Sequence, residues 1–332
     1  MQVFLTGGTG FIGANVVRLL LQEGHTVRAL VRENSSLGNL EGLEVEKVTG
    51  DLNDLDLHGK MQGCEALFHI AAFYSLWQSD KEQLYRSNVD GTRNCLAAAK
   101  KAGITRTVYT SSAAAIGLGP KGTPVDETHQ SSADELIGHY RKSKYWAEQE
   151  ALKAAKAGQD VVIVNPTSPI GEWDARPTPT GNIVLRFLRQ QMPFYLDTGL
   201  NVIDVQDVAK GHLLALEKGR SSERYILGNQ DMKLKSVLDI LEKLTSVSAP
   251  EKSIPVAVPM TVAWIEENVL TRLGKSPNVP LDGVRMGTKT MYYDASKAVR
   301  ELGLPQTDIA KALQRSVDWY RANGYVGDES RS

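Results

Sequence analysis

The chain has 332 residues, 42% hydrophobic and 23% charged, which is the profile of an ordinary globular protein with room for about two domains. Lys and Arg number 38 against 39 Asp and Glu, so a net charge of −1 creates no field that would recruit a nucleic-acid backbone or an anionic membrane. Cys64 and Cys95 lie far apart in apolar segments, as free thiols of a cytoplasmic protein would; residues 1–5 carry no basic leader, and no apolar run approaches the roughly 20 residues of a spanning helix.

In chain order, short apolar runs at 3–6, 27–31, 43–48, 66–70, 107–111 and 161–165 read as strands. Stretches 11–23, 81–102 and 140–157 read as helices between them. Continuous Val/Ile/Leu strands alternating with helices predict a parallel sheet covered on both faces, an α/β doubly wound Rossmann unit over residues 1–166. Residues 165–182, NPTSPIGEWDARPTPTGN, are dense in Pro, Gly and Thr and mark a long connection of the kind that carries function. Beyond it, helices at 181–191, 208–218, 235–244, 260–273 and 308–323, with strand returns at 202–205 and 224–227, predict a smaller, mostly helical C-terminal portion over 167–326. It binds substrate and sends some segments back to the first unit. In 260–273, Met260, Trp264, Leu270 and Leu273 form a core stripe or an apolar wall for substrate. The last six residues, 327–332, have nothing to bury and read as a frayed tail.

Chemistry concentrates at a few places. TGGTGFIG follows the first strand, and each of its spaced glycines has a mechanical reason. Gly7 permits a tight turn, Gly10 lets backbone approach a pyrophosphate, and Gly13 lets the next helix pack closely; Thr9, Phe11 and Ile12 belong to the same phosphate cradle at the helix's positive end. The second strand ends ALVRENSS, where Arg32 would receive a ribose 2′-phosphate and an acid such as Glu33 a 2′-hydroxyl. NADP(H) is favoured there and NAD(H) stays open.

In GHYRKSKYWAE, Tyr140 and Lys144 are four apart and share a helix face. Carbonyl reduction needs a proton donor for the nascent alkoxide, and a tyrosine serves near neutral pH when a lysine ammonium stabilises its phenolate. Ser111 or Ser112, at the end of the fifth strand, would hold the substrate oxygen beside it. Phe73, Tyr74, Leu76 and Trp77 suit an apolar or aromatic small-molecule ligand, although core packing explains them too. The six histidines show no metal-ligand spacing.

Together these residues resemble the extended short-chain dehydrogenase/reductase (NAD-dependent epimerase/dehydratase) family over nearly the whole chain. YTSSAAAIG, IGHYRKSK, VVIVNPTSPIG and DTGLNVIDVQDVAKGHLLALEKG resemble its dihydroflavonol-4-reductase-like branch, and within it the bacterial proteins labelled hopanoid-associated sugar epimerases. The resemblance implies that Ser112 is the better match for the catalytic serine, with Ser111 a helper. Tyr140 would be the acid/base, and Lys144 would hold the nicotinamide ribose. It also implies an NADP-binding Arg32 and an adenine contact at Asp51 and Leu52, Asp51 having a helix N-cap as its other role. Ala71 and Ala72 would line the path of the ribose and nicotinamide, Asn88 would steady the central helix, and backbone at Pro166, Thr167 and Ser168 would touch the carboxamide. A homodimer paired through the Asn88 and Tyr140/Lys144 helices is a further implication.

The function implied is hydride transfer to a ketone or aldehyde. One alternative is an NAD-dependent nucleotide-sugar epimerase, with Arg176, Arg186, Arg189, Arg220 and Arg224 as candidate diphosphate clamps. The other is a non-catalytic NADP sensor, against which Tyr140 and Lys144 argue.

Overall fold

A computed structural model describes residues 1–255, 260–261 and 281–326. The tail at 327–332, and the 260–273 stripe apart from Met260 and Thr261, lie outside the described residues. Among those described, ten strands occur: β1 (Gln2–Thr6), β2 (Thr26–Val31), β3 (Val45–Thr49), β4 (Ala66–His69), β5 (Arg106–Thr110), β6 (Val161–Pro166), β7 (Ser168–Ile170), β8 (Gly199–Asp204), β9 (Arg224–Leu227) and β10 (Gln230–Lys233).

Seven of them form one parallel sheet in the order β3-β2-β1-β4-β5-β6-β9. Every residue of β4 and β6 is buried, because helices cover both faces of the sheet. The order reverses between β1 and β4, which opens a crevice at their carboxyl ends, the usual place for a ligand in such a sheet. Packed against the sheet are Phe11–Gln22, Gly91–Ala102, Gly138–Lys156 and Val205–Lys218.

A second core gathers a small sheet, β10-β8-β7, and the helices Pro179–Leu188, Leu234–Thr245 and Ile309–Ala322 around Val202, Leu238, Leu313 and Tyr320. Val205–Lys218 and β9 instead pack with the first core, through Val208, Leu213 and Tyr225. Asp204, Thr178 and Asp308 cap three of these helices by accepting hydrogen bonds from main-chain N–H groups.

Two local features depart from expectation. The 81–102 stretch is not one regular helix: Lys81–Tyr85 passes through a π-helical segment, Arg86–Asp90, before Gly91–Ala102 resumes. Asn88 sits in that segment, bonded to Phe73 and Ser143, and wide turns of this kind inside helices are frequent at functional sites. The Pro/Gly-rich connection is also not bare loop, since β7 forms within it and pairs in parallel with β8.

Candidate active site

The crevice begins with the turn after β1. Gly7 adopts φ +82°, and a Cβ on it would lie 2.6 Å from the Ala71 nitrogen at the end of β4. A Cβ on Gly13 would stand 2.1 Å from the Gly7 carbonyl oxygen, so the helix Phe11–Gln22 packs on the turn itself. Gly10 differs: an added Cβ would meet only the Gly7 oxygen, at 3.3 Å, and its φ of −86° suits any residue. The protein does not require a glycine there, and what the missing side chain preserves is the space outside.

Gly10 is also the N-cap, with no side-chain cap and no acid in the first turn, so the N–H groups around Phe11 and Ile12 have no side-chain acceptor. A dinucleotide pyrophosphate fits this cradle. The long connection closes over it: Asn15 donates to the Glu172 carbonyl (3.0 Å), Asn39 to those of Thr9 (3.1 Å) and Trp173 (3.2 Å), and Arg18 stacks 3.3 Å from the Trp173 ring centre.

At the nucleotide end, Arg28 is already committed to Glu46 and to the carbonyls of Lys60 and Gln62, whereas Arg32, just past β2, is exposed and engaged by no ion pair among the described residues. Asp51 is not a helix cap; its carboxylate accepts from the Asn53 backbone (3.0 Å) and side chain (2.9 Å), closing a turn ahead of the next helix. Leu52 lies over Gly91. Ala71 donates its N–H to the Thr6 hydroxyl at 3.2 Å, and Ala72 is exposed in the crevice beyond β4. Buried His69 bridges Thr6 and Thr92, at 2.7 and 3.0 Å, and burial pushes its pKa down to about 3, keeping the ring neutral.

Opposite the cradle, the helix Gly138–Lys156 brings Tyr140 and Lys144 to the end of β5. Burial raises the Tyr140 phenol's pKa, and the Ser112 side chain and the Arg141 charge oppose that rise. Ser112 Oγ also accepts the Ala114 N–H at 3.1 Å, which fixes the hydroxyl at the start of a short helical turn. Ser111 is buried, and its side chain acts on the Tyr109 phenol, whereas that of Ser112 acts on Tyr140.

Lys144 is 2% exposed and donates to the Thr110 carbonyl at 2.9 Å. Burial draws its pKa down to about 8, and the Glu148 carboxylate one turn on resists that. The Tyr74 ring meets Tyr140 edge-on, centroids 4.6 Å apart. Asn88 ties the site's two walls together, exchanging hydrogen bonds with the Phe73 main chain (2.7 and 2.9 Å) and donating to Ser143 Oγ (3.0 Å).

Behind Lys144 lies a polar network that sequence reasoning did not single out. Glu148, 1% exposed, takes Arg224 at 3.1 Å and the Asn165 amide at 2.7 Å, and the same amide reaches the Ser112 carbonyl at 3.0 Å. The available signal was Glu148 four residues after Lys144; its partners come from β6 and β9. Pro166 ends β6. Thr167 spends its N–H on the Leu227 carbonyl and its hydroxyl on Asn201, while Ser168 is half-buried at the start of β7.

The arginines considered as diphosphate clamps are mostly engaged elsewhere. Arg224 holds Glu148, Arg220 holds Glu301, Arg189 clasps the Tyr325 carbonyl and Arg186 that of Gln191, while Arg176 is exposed. Among the described residues no cluster of His, Cys, Asp or Glu is arranged to hold a metal ion, and no helix is long and apolar enough to cross a membrane. Cys64 and Cys95 are buried and unpaired.

Comparison with known proteins agrees with this geometry. A model of the NAD dependent epimerase/dehydratase family matches residues 3–228. A Synechocystis sp. protein named "Putative dihydroflavonol 4-reductase" is 60% identical, across 97% of this chain and 95% of its own. Sterol demethylase protein B of Methylococcus capsulatus is 34% identical, across 98% of this chain and 100% of its own. Among solved structures, a nucleoside-diphosphate-sugar epimerase from Pseudomonas aeruginosa is 27% identical with a TM-score of 0.82, covering 98% of this chain and 99% of that one.

Proposed function

We propose, for a chain that belongs to the NAD-dependent epimerase/dehydratase family and is an NAD(P)-dependent oxidoreductase of the extended short-chain type, that it reduces a ketone or aldehyde to an alcohol at the expense of NADPH. The observation that carries this reading is the meeting of Tyr140, Ser112 and Lys144 beside the glycine cradle. NADPH, when held there, would supply the hydride for the carbonyl carbon. Tyr140 donates its phenolic proton to the oxygen, Ser112 holds that oxygen in place, and the buried Lys144 ammonium stabilises the phenolate left behind. Gly7, Thr9, Gly10, Phe11, Ile12 and Gly13 would hold the pyrophosphate; Asp51 and Leu52 the adenine; Ala71, Ala72, Pro166 and Ser168 the ribose and nicotinamide side.

Two observations favour this reading over the epimerase. Four of the five candidate diphosphate-binding arginines already have protein partners, so a clamp would have to break them. Arg32 stands free where an NADP 2′-phosphate would lie.

Arg32→Asp is therefore expected to weaken NADPH by about ten- to a hundredfold, the size of one charge-assisted contact, with little effect on NADH. Fluorescence titration of both cofactors reads this directly, and equal losses for the two would remove the assignment.

A further inference from the structure

Arg141 follows Tyr140 on the same helix and is 2% exposed, the bulkiest of the fully buried side chains. A guanidinium taken out of water ordinarily meets a carboxylate, because an uncompensated ion is costly in a low dielectric. Three partly buried arginines elsewhere in the fold do so: Arg224 has Glu148, Arg106 has Asp160 and Arg28 has Glu46. Arg141 has no acid partner among the described residues. Nη2 donates to the Met291 sulfur at 3.2 Å, a weak acceptor; the Tyr293 phenol stands nearby; and Nε is buried with no acceptor. Tyr293 in turn gives its proton to the Gly117 carbonyl at 3.1 Å, so it reaches Arg141 as a neutral oxygen and leaves the positive charge unmatched.

That charge follows Tyr140 by one residue on the helix. It acts on the phenols of both Tyr140 and Tyr74, favouring their ionised forms, and those two rings touch. Tyr74 is 42% exposed, so the cluster reaches solvent on its side. Nearby, Lys144 has the Glu148 carboxylate one turn on, and Arg285 pairs with Asp282.

We propose that Arg141 is the receptor for a carboxylate carried by the substrate close to the carbonyl or carbinol on which Tyr140 acts. A single planar fork set among three phenols suits a flat, singly charged group. A phosphate ordinarily gathers several donors. The inference rests on the role given to Tyr140 above.

The test uses the full chain saturated with NADP and two pairs of probes, benzoate against benzamide and 2-naphthoate against 2-naphthamide, followed by calorimetry. The wild type is expected to prefer the acids. Arg141→Met should weaken them about ten- to a hundredfold, leave the amides unchanged and cancel the preference, while Arg141→Lys keeps part of it. If the methionine variant does not fold, the lysine variant and Arg141→Gln carry the comparison. No preference for acids in the wild type, or a preference that survives loss of the guanidinium, overturns the proposal. Arg141 would then serve only the ionisation of Tyr140. A fully active Tyr140→Phe variant with an intact, Arg141-dependent acid preference would instead locate the failure in the catalytic reading.

Discussion

Tyr140→Phe is expected to lower turnover by about 10²- to 10⁴-fold, the range that a positioned proton donor contributes, while NADPH affinity stays as it was. The ring itself is kept, so its edge-on contact with Tyr74 survives and only the hydroxyl facing Ser112 is lost. The pH profile carries a second signature. Reduction needs the phenol protonated and Lys144 charged; burial raises the pKa of Tyr140 and brings that of Lys144 down to about 8. Turnover should hold at neutral pH and decline as pH rises through about 8, where Lys144 gives up its proton. In a Lys144→Met variant, slow as it is, that decline should disappear. Steady-state rates from pH 6 to 10 beside cofactor titrations check both, and a phenylalanine variant with wild-type turnover would remove Tyr140 from the mechanism.

The glycine cradle offers a paired prediction in which two similar substitutions part company. In Gly13→Ala the new methyl would sit 2.1 Å from the Gly7 oxygen, 2.7 Å from its carbon and 2.9 Å from the Gly8 Cα. All three are backbone atoms, so the helix must lift away from the turn. We expect a loss of about 1–3 kcal/mol, as for other overpacked positions, with a lowered melting midpoint and loss of NADPH binding. Gly10→Ala meets only one atom, at 3.3 Å, and needs no unusual backbone. Its melting midpoint without cofactor should match the wild type, yet NADPH should bind far more weakly, because the methyl enters the space kept for the pyrophosphate. Thermal melts with and without NADPH separate the two. A Gly10→Ala variant that binds normally would mean that the pyrophosphate does not lie over this turn.

What could be read from the sequence was what repeats locally. β1, the cradle and the following helix are contiguous, so strand run, glycine spacing and amphipathic pattern reinforce one another within the first 22 residues. Tyr140 and Lys144 are one helical turn apart and need no tertiary information to be placed on one face.

The features that escaped depend on distant partners. Arg224 reads as a surface charge until the fold brings it to Glu148, 76 residues earlier in the chain. Arg28 and Arg32 share a strand parity, and only the packing of Glu46 and the 60–62 turn shows that the first is consumed. The widened turn at Asn88 is dictated by Phe73 and Ser143 rather than by its own neighbours. Arg141 is the extreme case: its meaning lies in the absence of an acid, and that is visible only once Met291 and Tyr293, about 150 residues on, stand around it. β7 and β10 were missed for a simpler reason: SPI and QDMK each carry one large apolar residue, unlike the equally short ALFH and RYIL, and do not register as strands.

The central claim, an NADPH-consuming reductase rather than an epimerase that keeps its cofactor, is tested most directly by the cofactor itself. The purified protein would be denatured, any released dinucleotide identified by mass spectrometry, and the exchange of labelled NADPH and NADH into the native protein timed. The account predicts NADP(H) that exchanges readily, because a reductase must renew it at every turnover. Firmly retained NAD(H) that exchanges with neither label would contradict it and assign the chain to the sugar-epimerase chemistry of its relatives.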